Sequence, residues 1–339
     1  MRRRSSAVIG ELAAIGAASC WVITAMAFTE AGRRVGATVV NVTRLWAALA
    51  ILVIVHGVLF GSWWPDVPTS SWWYLGLSGV IGLALGDQFL FRALVDAGPR
   101  ISTLMMTVAP ALTAIIAWPV LDQPLGWLAM LGIVVTLGGI AWVVGERRGD
   151  DDGRTYPNPA RGVFLGFLGG IGQAVGLILA KLGMEGIGGE TIDPWTATYV
   201  RMILGTVSAT LLMAALLGTR RIDRGTGESS PSRGVGLVST LIIVGAVFGP
   251  VLGVWLSLVS IDRIDAGIAA TLMSLSPIFI LPVAKVVEGE TISPRAVLGA
   301  VIAVVGVGLL FIAAGDASDE PDPQLSRWER SAPSSTSSG

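Results

Sequence analysis

Seven charged side chains stand inside long apolar runs of this 339-residue chain: Glu11, Arg44, Asp87, Arg92, Lys181, Arg201 and Lys285. A charge in hydrocarbon costs several kcal/mol, so each must pair, face water or protein, or reach the end of its run. Asp87 lies midway along its run between Gly86 and Gln88, where a carboxylate can bind a cationic group or carry a proton. The competing role is a structural ion pair with Arg92 or Arg44. Arg44 and Arg201 read as structural or gating charges that reach phosphates or pin neighbouring carbonyls, and the two lysines near run ends as snorkelling groups. His56 and Cys20 are single of their kind. No internal disulfide, CxxC pair or multi-histidine metal site can form, and neither metal nor cofactor is expected. HExxH, GxSxG and P-loop patterns are missing, which argues against the commonest hydrolases and against direct ATP drive.

The elements that must position these groups follow from composition. Hydrophobic residues make up 53% of the chain and charged ones 14%, against about 25% charged in soluble domains. A net charge of −1 offers no basic face to nucleic acid. Ten stretches are long enough to cross a bilayer: 7–28, 38–60, 72–93, 101–121, 125–145, 162–183, 194–217, 235–258, 267–287 and 296–314. In lipid such runs satisfy their backbones only as helices, so the expected fold is an all-α membrane protein. Arg2-Arg3-Arg4 ahead of an apolar run resembles a signal sequence, but apolar residues continue past Cys20, so the run is read as a retained helix. Trp63, Trp64, Trp72 and Trp73 mark one interface. The expected organisation is a short N-terminal tail (1–8), a first unit (9–145), a hydrophilic connector (146–161), a second unit (162–314) and a disordered Ser/Pro/acid-rich tail (315–339).

The two units are copies. An offset of 167 pairs Gly82 with Gly249, Gly86 with Gly253, Met106 with Met273, Pro110 with Pro277, Gly132 with Gly299 and Gly139 with Gly306. Upstream, an offset of 157 places Arg44 on Arg201, and one of 152 places Trp21 on Gln173. Five crossings per copy is an odd number, so the second copy enters from the opposite face. Two inverted five-helix repeats give a pocket between them that can open to either side, the pattern of secondary transporters. Asp87 and Gln88 map onto Val254 and Trp255, so the pocket would set an acid opposite an aromatic ring and suit a cationic or zwitterionic solute. Trp21 and Gln173 could project into it. Pro110 and Pro277 free the carbonyls of Met106 and Met273, which could bind solute or act as hinges.

Residues 93–110 (ALVDAGPRISTLMMTVAP) and 260–277 (SIDRIDAGIAATLMSLSP) are followed by LDQPL at 121–125 and EGETI at 288–292, then by glycine-spaced apolar helices. This ordered, twice-occurring set resembles the paired EamA domains of the drug/metabolite transporter superfamily over about residues 9–314. The resemblance implies ten helices, a cavity lined mainly by helices 1, 3, 4, 6, 8 and 9, and export or exchange of small metabolites or drugs, with a small solute, the bilayer and a coupling proton as partners. Gln123 stands where the family usually has Glu, matched here by Glu290. The resemblance implies cytoplasmic termini, whereas Lys and Arg concentrate on the loops opposite them, which by the positive-inside rule puts the termini outside. The competing classes are a membrane sensor or scaffold and an integral membrane enzyme.

Overall fold

The computed structural model describes residues 2–106, 108–123, 125–144, 158–186, 191–218, 231–276, 278–279 and 293–319, and every regular element among them is a helix. In chain order these are α1 (Arg2–Val35), α2 (Ala37–Phe60), α3 (Thr69–Ser78), a π-helical segment (Gly79–Gly86), α4 (Asp87–Met106), α5 (Val108–Leu121) and α6 (Trp127–Val144). They continue as α7 (Pro159–Glu185), α8 (Pro194–Gly218), α9 (Pro231–Ala246), a second π-helical segment (Val247–Gly253), α10 (Val254–Arg263), α11 (Ala266–Met273) and α12 (Pro294–Asp319). Among the described residues six stretches are long and apolar enough to cross a membrane: Ser5–Gly32, Thr38–Phe60, Thr69–Ala93, Pro159–Glu185, Pro194–Leu216 and Gly236–Arg263. Val108–Leu121, Trp127–Trp142 and Val297–Leu310 are shorter apolar helices. Of the expected span 267–287, residues 277 and 280–287 lie outside the described residues.

Local sequence sets several ends differently from the apolar runs. The first helix extends well past both ends of 7–28, to Val35, where Gly36 turns the chain at φ 88°. The last three residues of the expected connector 146–161 belong to α7. Asn158 caps that helix by accepting the Arg161 N–H at 3.2 Å, and Pro159 takes the first turn, where its missing N–H costs nothing. The expected tail begins inside α12, which runs to Asp319. Within α4, Ala93 and Met105 both lie against Gly166 of α7. Twelve residues of straight helix would separate them by about 18 Å. The helix is therefore not straight between them.

The duplication read from the sequence recurs as geometry. Both π-helical segments fall on the same stretch at the 167 offset, and each closes with one i→i+5 bond: Asp87 N–H to Gly82 O, and Val254 N–H to Gly249 O. The helices also pack across the two halves. In the first half, a Cβ on Gly176 or Gly172 of α7 would meet the Cα of Gly82 at 3.0 Å and of Gly86 at 2.9 Å. The matching contacts set Gly249 on Thr24 and Gly253 on Trp21 of α1, at 2.8 and 2.7 Å. Glycine thus allows backbones to touch where lipid supplies no hydrophobic drive for helix association.

Helices α6 and α12 give the sharpest pattern. A Cβ on Gly132 would stand 3.0 Å from Gly306 O, and one on Gly139 2.6 Å from Gly299 O. The pairs cross, 132 with the equivalent of 139 and 139 with the equivalent of 132. Self-complementary contact of this kind arises about a two-fold axis. A Cβ on Gly139 would also press on Ala303 N at 2.5 Å, whereas one on the adjacent Gly138 meets nothing within 4 Å. Gly139→Ala is therefore expected to destabilise by about 1–3 kcal/mol, the range for overpacking, and Gly138→Ala to change little. Thermal unfolding of the two variants in one detergent measures the difference, and equal midpoints would refute the packing argument.

Candidate functional site

Three helices deliver the central polar cluster. Asp87 sits at the junction of the first π-helical segment and α4, Arg44 on α2 and Gln173 on α7. Arg44 Nη2 makes a short, buried ion pair with Asp87 Oδ2. The other carboxylate oxygen accepts a hydrogen bond from Gln173 Nε2 at 2.7 Å. That amide also reaches Gly82 O at 3.3 Å, the carbonyl already engaged by the Asp87 N–H. The π-helical register thus fixes Asp87 through its backbone and its side chain at one point. Such segments recur at functional sites because they re-aim a helix without breaking it.

Around this core Asn41 Oδ1 accepts from Arg44 Nη2 at 2.9 Å and from Nε at 3.2 Å. Its amide donates to Gln88 Oε1 at 3.2 Å, and Gln88 Nε2 donates to Thr38 Oγ1 at 3.0 Å. The rings of Phe91 and Phe28 lie 4.9 and 5.5 Å from the Arg44 guanidinium and add cation–π attraction. Asn41 and Thr38 were not singled out in the sequence. Their signal was present, since Thr38, Asn41 and Arg44 recur at three-residue spacing on one helix face.

Arg201 is 4% exposed, and neither its Nε nor its Nη1 finds a hydrogen-bond partner among the described residues. Its Nη2 lies 3.6 Å from where a Cβ on Gly82 would stand, and it feels the field of Asp87. The arginines therefore turn inward, against the expectation that they reach phosphates. Two buried guanidiniums face one carboxylate, so the cluster carries excess positive charge. An unopposed Asp87 waiting for a cation is not what the geometry offers, because Arg44 already supplies its counter-charge.

The remaining candidates spread further. Met106 Sδ and Gly86 O both approach Gly169, at 3.5 and 3.3 Å, which brings Met106 to the edge of the cluster. Trp21 lies flat on Gly253. Trp255 meets Trp195 edge-on, ring centres 6.0 Å apart, rather than Asp87. Pro110 is buried in the first turn of α5 and Met273 in the apolar core. Pro277 lies outside the described residues, but the Met273 carbonyl it was expected to free accepts from Ser276 Oγ at 3.2 Å. That hydroxyl also reaches Ala18 O of α1 at 3.0 Å, so the two carbonyls share its one proton. His56 packs against Phe60 and Tyr199, with ring centres 4.6 and 4.9 Å away, and serves as part of the core.

A second polar group lies at the opposite end of α7. Lys181, expected to snorkel, is buried and pairs with Glu185 at 3.4 Å. Gln123 Oε1 accepts the Ala266 N–H at 3.0 Å, using an amide oxygen to satisfy an orphan donor at the start of α11. Glu290, its counterpart, lies outside the described residues. Asp265, in the connection between α10 and α11, has its carboxyl pushed up by burial and partly pulled back by Lys181.

The residues thus belong to a helical membrane protein with a buried polar centre at the contact of two similar halves. The EamA-like transporter family model matches residues 8–145 and 160–312, and the chain belongs to that family, a multi-pass membrane group of the drug/metabolite transporter superfamily. One crystal structure, described only as that of a protein, shares the fold with a TM-score of 0.69 at 18% identity, over 92% of this chain and 98% of its own. No curated protein matches the chain.

Removing Asp87 would strand a buried guanidinium, a loss of about 3–5 kcal/mol for a broken buried pair. Asp87→Asn is expected to lower the unfolding midpoint, and Asp87→Asn combined with Arg44→Gln to recover much of the loss. Wild-type stability of the single variant would deny the pair its structural weight. Asp265 gives a pH signature. A carboxyl raised in the folded state contributes stability that is present at acid pH and lost as pH rises through its folded pKa. Asp265→Asn should therefore gain on wild type between acid and neutral pH, read as the difference in midpoint, and a constant difference would contradict this.

Proposed function

We propose that the protein is a secondary transporter, driven without ATP, that exports or exchanges a small metabolite or drug-like solute across the plasma membrane. In this reading ten crossings form two inverted five-helix repeats. The observation that carries it is the crossed contact of Gly132 with Gly306 and Gly139 with Gly299, which an inverted pair related by a two-fold axis in the membrane plane would produce. Such a pair has nearly equal packing energies facing either side, which favours alternating access. The polar cluster at Asp87 lies where α7 of the second half meets the first half, so a rocking motion would change its exposure.

Substrate identity is not needed for the test. Met106→Cys in a Cys20→Ser background places one thiol at the edge of the cluster. In oriented vesicles it should react with a membrane-impermeant thiol reagent from each side in turn, at rates that shift oppositely when solute is added to one side. Reaction from one side alone under every condition would defeat alternation.

A further inference from the structure

We propose that Arg201 is the docking group for a carboxylate of the transported solute, whose apolar body lies against Trp195 and Trp255. This rests on the transport reading and names the substrate class of the same central site.

The argument compares the two halves position by position. Arg44 gives its Nε and Nη2 donors to Asp87 and Asn41. Its equivalent, Arg201, has Val254 in place of Asp87 and Thr198 in place of Asn41. Thr198 Oγ1 spends its proton on Pro194 O of its own helix at 2.7 Å. Arg201 thus keeps the buried position and loses both partners. The hydrogen bond between Thr38 and Gln88 has its counterpart in the ring contact between Trp195 and Trp255. The contact persists while its chemistry changes from polar to aromatic.

A second donor is left over in the same half. Trp195 Nε1 is buried without a partner among the described residues, as are Nε and Nη1 of Arg201. These groups can only donate, so the occupant that satisfies them must accept. A planar carboxylate meets a guanidinium fork through two parallel hydrogen bonds, and on Arg201 that fork joins Nη2 to either Nε or Nη1. Asp87 is already the counter-charge of Arg44, so its single negative charge is shared between two guanidiniums. A monoanion on Arg201 would leave the cluster electrically balanced. The paired indoles favour an anion with an apolar or aromatic body over a small inorganic one.

The test uses the purified full-length protein with phenylacetate, its neutral isostere phenylacetamide, acetate and chloride at equal concentration. Phenylacetate should raise the unfolding midpoint clearly and acetate less, with phenylacetamide and chloride near the buffer control. Arg201→Lys keeps the charge without the fork and should weaken phenylacetate at least tenfold. Val254→Asp supplies Arg201 with an acid from its own chain and should remove the phenylacetate shift. Equal shifts with phenylacetate and phenylacetamide, a shift reproduced by chloride, or a phenylacetate shift that survives Val254→Asp would overturn the proposal. Flux into proteoliposomes, measured against protein-free vesicles, separates the two readings. Flux of a neutral or cationic solute with no carboxylate binding would end the anion site and leave the transporter. Carboxylate binding that fails in Arg201→Lys, with no flux of any solute, would do the reverse.

Discussion

Backbone-to-backbone contact through glycine is the constraint on which the rest of this structure depends. Between two helices in lipid, apolar side chains gain little by leaving one hydrocarbon for another, so association rests on close van der Waals approach. Here the closest approaches join elements of different halves: Gly82 and Gly86 against α7, Gly249 and Gly253 against α1, and the crossed glycines of α6 and α12. Each half therefore lends its first helix to the other. The same approach opens the first π-helical segment to Gln173, whose amide could not reach both Gly82 O and Asp87 past bulkier neighbours.

Duplication would by itself give two identical polar centres. The chain has kept the geometry of both and the chemistry of one. In the first half Asp87 and Asn41 hold Arg44; in the second, Val254 and Thr198 stand at the equivalent positions of the sequence, and two tryptophans at those of Thr38 and Gln88. A buried donor without an acceptor costs about 1–3 kcal/mol, and a charged one more. Such a cost is tolerable in a fold otherwise tightly packed, and it falls at the one place where the halves differ most.

Much of this was legible in the sequence because helices in lipid must be long, apolar and unbroken, and because copies align by their glycines. The helical class, the duplication and the equivalence of Arg44 with Arg201 all follow from spacing. The pairing of Asp87 with Arg44 was one of two readings that spacing allowed. Choosing between them required the relative rotation of α2 and α4, and helix rotation in lipid depends on packing that polarity alone does not encode. The contact of Gln173 with Asp87 was hidden for a related reason, since it depends on exchange of helices between halves. The partner of the Met273 carbonyl was missed because a serine three residues on can fill the gap left by a proline, and composition does not say which way a hydroxyl turns.

One helix links all of these features. At the start of α7, Arg161 lies 3.0 Å from the buried carboxylate of Asp96, and the Asn158 N–H donates to Asp96 O at 3.3 Å. At its middle stands Gln173, and near its end the Lys181–Glu185 pair beside Asp265. Glycines line the face between and bring α7 into close contact with the first half, so its polar contacts sit on one tightly seated element. A rigid helix moving against that half cannot strain one of these contacts without affecting the others. On the transport reading, the two ends of α7 therefore answer to occupancy at its centre. An anion on Arg201 would change the field at Asp87, hence the hold of Asp87 on Gln173, and through that single amide the position of the whole helix.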